Sequence, residues 1–339
     1  ESLKAGLVTK IYYMDSFFDE IDSKAGKSAK IVDPATYLYY LGIQQNEAPK
    51  SKIALIIADG SLVESKPKGP SRLAQDNVID TDQMAQAFED AAKDDDVKAI
   101  LFRVNSPGGA PSASETIRHA LVKAKEKNKP VYVSMGSVAA SGGYWISMDG
   151  DKIFADPATL TGSIGVLGGK FVLGGLFDKL GITWEALSTG GDNADIFSLS
   201  KPFSPKGRER MNAMIDETYR TFTAYVAKAR RLSPEKTEEV AKGRIFTGAQ
   251  AVQVGLVDQL GGINDALNAL KEKIGLKPED ILTVSLYPQP ETPMSLALKM
   301  LEDLHFGGAM VRQYLPFLNS FTGVQGPQAR LPYPYRVAE

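Results

Sequence analysis

Short apolar runs alternate with stretches of helical period along the first two thirds of this chain, and that alternation sets the fold class. Residues 52–59 (KIALIIAD) form an apolar run bounded by turn residues, the pattern of a buried strand. A polar loop follows at 76–80. Residues 81–93 then place Met84, Ala87, Phe88 and Ala91 at helical spacing. Residues 97–104 (VKAILFRV) read as a second strand, ended by the turn Asn105-Ser106-Pro107-Gly108-Gly109. Ser112 or Ser114 is expected to cap a helix reaching about residue 128, with Ile117, Leu121 and Ala124 on one face. Residues 130–134 and 151–155 supply two more strands. Strands alternating with helices imply βαβ units, hence an α/β fold with a largely parallel sheet. Ligand sites in such sheets gather at the carboxyl ends of the strands, where the Gly-rich turns of this chain fall.

Further along, a short helix is expected at 171–180 and a strand at 183–187. Ser204-Pro205 opens a long helix to about residue 231, with Pro in its first turn and Met211, Ile215, Tyr219, Phe222 and Val226 as an apolar packing stripe. Ser233-Pro234-Glu235 caps another helix. Past Tyr287 the prolines and the Phe306-Gly307-Gly308 break suggest a loosely organised tail, with an amphipathic helix at 296–304. Ala5-Gly6-Leu7-Val8 echoes Val254-Gly255-Leu256-Val257-Asp258 near the end of the α/β unit. With Glu1 in place of Met, the echo suggests the last element of an upstream repeat. The domain reading is therefore 1–50 as repeat remnant and linker, 51–286 as the α/β domain, and 287–339 as tail.

Composition narrows the chemistry. A net charge of −2 without a basic block argues against nucleic acid as a partner. The absence of cysteine removes disulfides, thiolate metal sites and a Cys nucleophile, and two histidines make a His-rich metal site a poor fit. No metal or cofactor is expected. No apolar run reaches the ~18 residues of a membrane span, so any anchor is expected upstream of this chain.

The segment Gly136-Ser137-Val138-Ala139-Ala140-Ser141-Gly142-Gly143-Tyr144 holds the candidate chemistry. Ser141 sits among small residues just past an apolar strand. Such a cluster also serves close packing alone, but the Asn105–Gly109 turn tips the balance, because glycines there can expose backbone N–H groups to an oxyanion. Ser141 is the candidate nucleophile. Gly109 N–H, with Gly108 as hinge, and Gly142 N–H are the candidate donors. His119, in the middle of a helix, and His305, in the tail, both read as surface histidines. That leaves a Ser–Lys dyad, in which burial lowers the lysine's pKa.

The motifs NSPGG, GSVAASGGYWIS and Thr159-Leu160-Thr161-Gly162-Ser163-Ile164-Gly165, followed by GRIFTG (243–248) and GLVDQLGG, together resemble the S49 peptidases of the signal peptide peptidase A (protease IV) type. The resemblance runs from the first strand to about Leu267. It implies a ClpP/crotonase-like fold, a Ser–Lys dyad and hydrolysis of remnant signal peptides at the periplasmic face of the bacterial inner membrane. It also implies Ser141 as nucleophile, Ser163 as the hydroxyl that helps orient the lysine, and a homo-oligomer. Short members of the family carry that lysine downstream in a Gly-x-Tyr-Lys-Asp-like stretch. Here the matching segment reads Gly191-Asp192-Asn193-Ala194-Asp195, with Ala194 in the lysine's place and Lys201 as the nearest substitute. In the long form two tandem copies divide the work, and this chain resembles the second, with the lysine expected from an upstream half. Two alternatives stay open: a non-catalytic assembly subunit of the same fold, and a crotonase-type acyl-CoA enzyme.

Overall fold

The computed structural model describes residues 51–64, 78–183 and 196–288, with eight further positions among residues 4–24. The chain divides into two compact units, Pro49–Gly323 and Glu1–Ala48 with Val324–Glu339. In the smaller unit Lys10 and Lys24 both pair with Glu20.

The larger unit opens with β1 (Lys52–Asp59), followed by the short β2 (Ser61–Val63) and β3 (Val78–Asp80), which pair with each other in parallel. Asp80 caps α1 (Thr81–Lys93) by accepting from Gln83 N–H, and the expected apolar positions Met84, Ala87, Phe88 and Ala91 are all buried. Next come β4 (Val97–Ser106), α2 (Pro111–Glu126), β5 (Val131–Ala140) and the single-turn α3 (Gly142–Trp145). β6 (Lys152–Ala155), β7 (Leu160–Gly162) and α4 (Gly174–Lys179) lead to the long α5 (Pro205–Arg230) and to α6 (Pro234–Val240). β8 (Ile245–Thr247), α7 (Gly248–Gln253), β9 (Gln259–Leu260), α8 (Ile263–Lys273) and β10 (Thr283–Tyr287) complete the described fold.

The main sheet runs β10-β1-β4-β5-β6-β9, every neighbouring pair parallel. β7 joins the far end of β5, and β8 lies antiparallel on β7. Strand alternation divides the core in two. Ala54, Ile56, Phe102, Val133 and Ile153 face a large cluster with Phe88, Ile117, Leu121 and Phe222. Ile53, Leu101, Tyr132 and Phe154 pack instead on Ala266 and Leu270 of α8. Each fully buried Val, Leu, Ile or Phe among them contributes about 1.5–3 kcal/mol. This is the expected α/β, ClpP-like architecture, a mostly parallel sheet with helices on its faces.

Some local expectations change. α2 begins at Pro111, and its N-cap is Ala110 with no side-chain cap bond, not Ser112 or Ser114. The proline presets the first helical φ, and Ser114 Oγ turns back to Ala110 C=O at 3.0 Å. The strand expected at 130–134 continues to Ala140, and the helix expected at 171–180 shortens to Gly174–Lys179. β10 runs one residue into the expected tail, β3 takes Val78–Asp80 out of the polar loop expected at 76–80, and β2 adds a short strand directly after the first. The long helix matches its reading: Met211, Phe222 and Val226 are buried, with Ser204 as N-cap. Residues 184–195, the 296–304 helix, His305 and most of the 1–50 segment lie outside the described residues.

Candidate active site

Ser141 owes its position to a register break in β5. Val104 pairs with Met135, but Ser106 pairs with Ala139, so two steps along β4 span four along β5. The polar groups freed by the break find side-chain partners. Thr159 Oγ1 donates to Gly136 C=O at 2.7 Å, and Arg103 Nη1 to Met135 C=O at 2.8 Å. Val138 N–H donates to Asn105 Oδ1 at 3.3 Å, while Asn105 Nδ2 donates to Asp59 Oδ1 at 2.7 Å. A Cβ at Gly136 would lie 2.9 Å from the Asn105 side chain, so the residue must be glycine for the amide to fit. The bulge re-aims the strand end, a common device beside functional sites.

Beyond the bulge Ser141 takes φ 54° and ψ −122°, a sparsely populated conformation for a residue with a side chain. It is held from both sides: Ser141 N–H donates to Gly162 C=O at 2.9 Å, and Trp145 N–H donates to Ser141 C=O at 2.9 Å. The half-buried Ser141 hydroxyl makes no hydrogen bond among the described residues. Ser163 leaves β7 beside it with φ 48°, its N–H bonded to Arg244 C=O at 2.7 Å and its hydroxyl likewise unengaged.

The turn after β4 packs directly on this elbow. Gly108 has φ 109°, and a Cβ there would lie 2.7 Å from Gly142 N and 2.9 Å from Ser141 Cβ. Gly109 N lies 3.1 Å from where a Gly142 Cβ would be. The five residues singled out from sequence, Gly108, Gly109, Ser141, Gly142 and Ser163, therefore come together from three strand ends. Neither Gly109 N–H nor Gly142 N–H donates a hydrogen bond among the described residues, so two donors border the Ser141 side chain with no internal partner. Preorganised N–H pairs of this kind stabilise oxyanions.

The support behind α3 was missed in the sequence, although Tyr144 and Trp145 directly follow the Ser-Gly-Gly step. Tyr144 is fully buried, its hydroxyl donates to Leu256 C=O at 2.9 Å, and burial pushes its phenol well up. Trp145 stacks on Phe222 at 4.3 Å and donates its indole N–H to Glu115 Oε2 at 3.0 Å. Burial opposes ionisation of Glu115, yet hydrogen bonds from Arg118 and Trp145 hold its carboxyl below the ordinary value. Arg118 also reaches Asp149 at 2.6 Å and lies over the Tyr225 ring. Charge-assisted bonds and an aromatic stack thereby lock the turn that carries Gly142.

A base is not found beside Ser141 among the described residues. His119 is exposed on α2, Lys201 is exposed ahead of α5, and Ala194 and His305 are not described. Elsewhere, Lys170 Nζ is buried and has no hydrogen-bond partner among the described residues, 4.6 Å from the centre of the Phe203 ring.

Residues 123–277 match the model of peptidase family S49. The chain is 41% identical over 225 residues to Protease 4 of Salmonella typhi, an alignment covering 66% of this chain and 35% of that protein. It is 31% identical over 337 residues to the chloroplastic serine protease SPPA of Arabidopsis thaliana, covering 98% of this chain and 49% of that protein. A putative signal peptide peptidase SppA of Enterococcus faecium is 35% identical over 226 residues, covering 67% and 64%. The chain thus spans between about a third and a half of the length of the first two relatives. With the parallel sheet and the strand-end serine already in place, these matches identify the chain as a member of peptidase family S49.

Proposed function

We propose that this chain carries the nucleophile of a serine endopeptidase that hydrolyses remnant signal peptides through a Ser–Lys dyad. The observation that carries the reading is the strained Ser141 bordered by two unengaged N–H groups, those of Gly109 and Gly142. Ser141 Oγ attacks the scissile carbonyl carbon while a lysine takes its proton. The carbonyl oxygen becomes an oxyanion between the two N–H groups. The lysine then returns the proton to the leaving amine, and a water molecule, deprotonated in the same way, releases the acyl group.

The lysine is assigned to an upstream copy in the same polypeptide, for which the greater length of the relatives leaves room. Ser163 is assigned to orienting that lysine. The peptide substrate class is supported by the name of the Enterococcus faecium relative. Action at the periplasmic face of the inner membrane as a homo-oligomer belongs to the same reading. Among the described residues no helix is long and apolar enough to cross a membrane, so attachment there would use other parts of the polypeptide.

The test pairs apolar peptide hydrolysis with fluorophosphonate labelling, for the longer polypeptide and for this chain alone. The expected result is an adduct at Ser141 in the longer polypeptide, loss of both signals in Ser141→Ala, and little turnover by the chain alone. No adduct at Ser141 would favour the assembly subunit, and CoA-thioester turnover independent of Ser141 would favour the crotonase reading. Robust hydrolysis by the chain alone, lost in Lys201→Ala, would move the base to Lys201.

A further inference from the structure

We infer that Leu62 is the positioning residue of the oxyanion site, its backbone fixing which way the Gly108–Gly109 peptide faces; this rests on the Ser141 reading above. Leu62 N–H donates to Gly108 C=O at 2.9 Å, and Ala110 N–H donates to Leu62 C=O at 3.0 Å. The two bonds form an isolated parallel bridge between Leu62 and Gly109, apart from the main sheet. In a trans peptide the N–H points opposite to the C=O. Drawing the Gly108 carbonyl toward Leu62 therefore turns Gly109 N–H away from β2, to the side where Gly142 lies.

The opposite orientation would be damaging as well as unproductive. A flipped 108–109 peptide would present a carbonyl oxygen where the oxyanion forms, and would leave both Leu62 N–H and Gly108 C=O without their partners. The approach is too close for a side chain: a Cβ on Gly109 would lie 2.1 Å from Leu62 O. A second hold acts one peptide earlier, where Gly108 N–H donates to the buried Ser106 Oγ at 3.1 Å. Ser106 restrains the 107–108 peptide, and among the described residues only Leu62 bonds the 108–109 carbonyl.

The latch is itself anchored. Leu62 is buried, and its Cδ1 would be 2.9 Å from a Cβ on Gly142, so its side chain covers the other donor residue. Leu62 pairs with Ile79 of β3, and Thr81 Oγ1 donates to Val63 C=O at 2.6 Å. The two short strands, each with one side chain in the main core, therefore also hold a loop of the candidate site.

The test uses the longer polypeptide with four changes: Ser141→Ala, Leu62→Ala, Leu62→Pro, and leucic acid at position 62, which replaces the N–H with an ester oxygen and keeps the side chain. Near-ultraviolet circular dichroism reports folding, and the ester decides if Leu62→Pro does not fold. Loss of an oxyanion donor predicts a fall in kcat of about 100-fold for the ester and for Leu62→Pro, with KM within about threefold. Leu62→Ala keeps the N–H and is expected to stay within about tenfold in kcat. A folded ester variant with kcat within about threefold of the parent, or one changed only in KM, overturns the inference. If Ser141→Ala is inactive while the ester is unaffected, this inference alone falls. If Ser141→Ala retains activity, the serine reading falls and takes this one with it.

Discussion

Ser141 and Ser163 leave two paired parallel strands at the same register, immediately after the Ala140–Gly162 pair, and both turn to positive φ, 54° and 48°. The bond from Ser141 N–H to Gly162 C=O ties one turn to the other. The two serines therefore stand at neighbouring strand ends, placed there by backbone alone. In Ser163→Gly the backbone strain is relieved while the hydroxyl is lost. The thermal midpoint should hold or rise while kcat falls by about 10- to 100-fold, through disturbed proton transfer. Parallel melting curves and peptide hydrolysis check this, and an unchanged kcat would remove Ser163 from the proton path.

Gly143 lies outside the reacting groups, yet a Cβ there would sit 2.3 Å from the Ser106 carbonyl oxygen, a backbone atom. Gly143→Ala must push the end of β4 away from α3. Since Gly109 follows β4 and Gly142 opens α3, the two donors separate. Both the thermal midpoint and kcat should fall, with kcat losing at least about tenfold. Retained kcat in a destabilised protein would show that the two turns move together.

Burial would raise the Asp94 carboxyl, but hydrogen bonds from Lys52 Nζ and Tyr287 Oη, each at 2.6 Å, outweigh it and bring the group down to about 2. A carboxyl depressed on folding stabilises the fold above its unfolded value, near 4, and that stability is lost as pH falls toward 2. Asp94→Asn should lower stability at neutral pH and flatten its decline between about pH 4 and 2. Urea denaturation across that range provides the measurement. A parallel decline in both proteins would remove Asp94 from the acid response.

Lys170 presents the reverse case. Its Nζ has no hydrogen-bond partner among the described residues, and taking an ammonium out of water without one costs more than the contact with the Phe203 ring returns. Lys170→Met keeps the length and discards the charge, so the thermal midpoint should rise. A lower midpoint would mean that the ammonium stabilises the fold.

The parts legible in sequence are those whose signal is local. Pro205 behind Ser204, the stripe from Met211 to Val226, and the glycines at 108 and 109 declare themselves within a few residues. The β5 bulge does not, because its partners Asn105 and Thr159 lie far along the chain and only the sheet brings them to Gly136 and Val138. Ser112 and Ser114 are reasonable caps in isolation, but Pro111 starts the helix before either. β10 has the alternation of a strand in TVSLY, yet it gains its identity only from β1. The five candidate site residues stand out in the sequence because each sits at a punctuation mark, a Gly-rich turn or a strand end. The groups that hold them, Leu62, Tyr144 and Trp145, look like ordinary core.

That pairing of β10 with β1 has a consequence for synthesis. The last strand of the described fold covers an edge of the first, with Tyr287 beside Ile56. While the chain is being made, that edge of β1 waits, its N–H and C=O groups unpaired, until Tyr287 has left the ribosome. An open apolar edge is a template for wrong partners. The nascent chain is thus open to association from the emergence of β1 until β10 is made, and a truncation before Thr283 would make that exposure permanent.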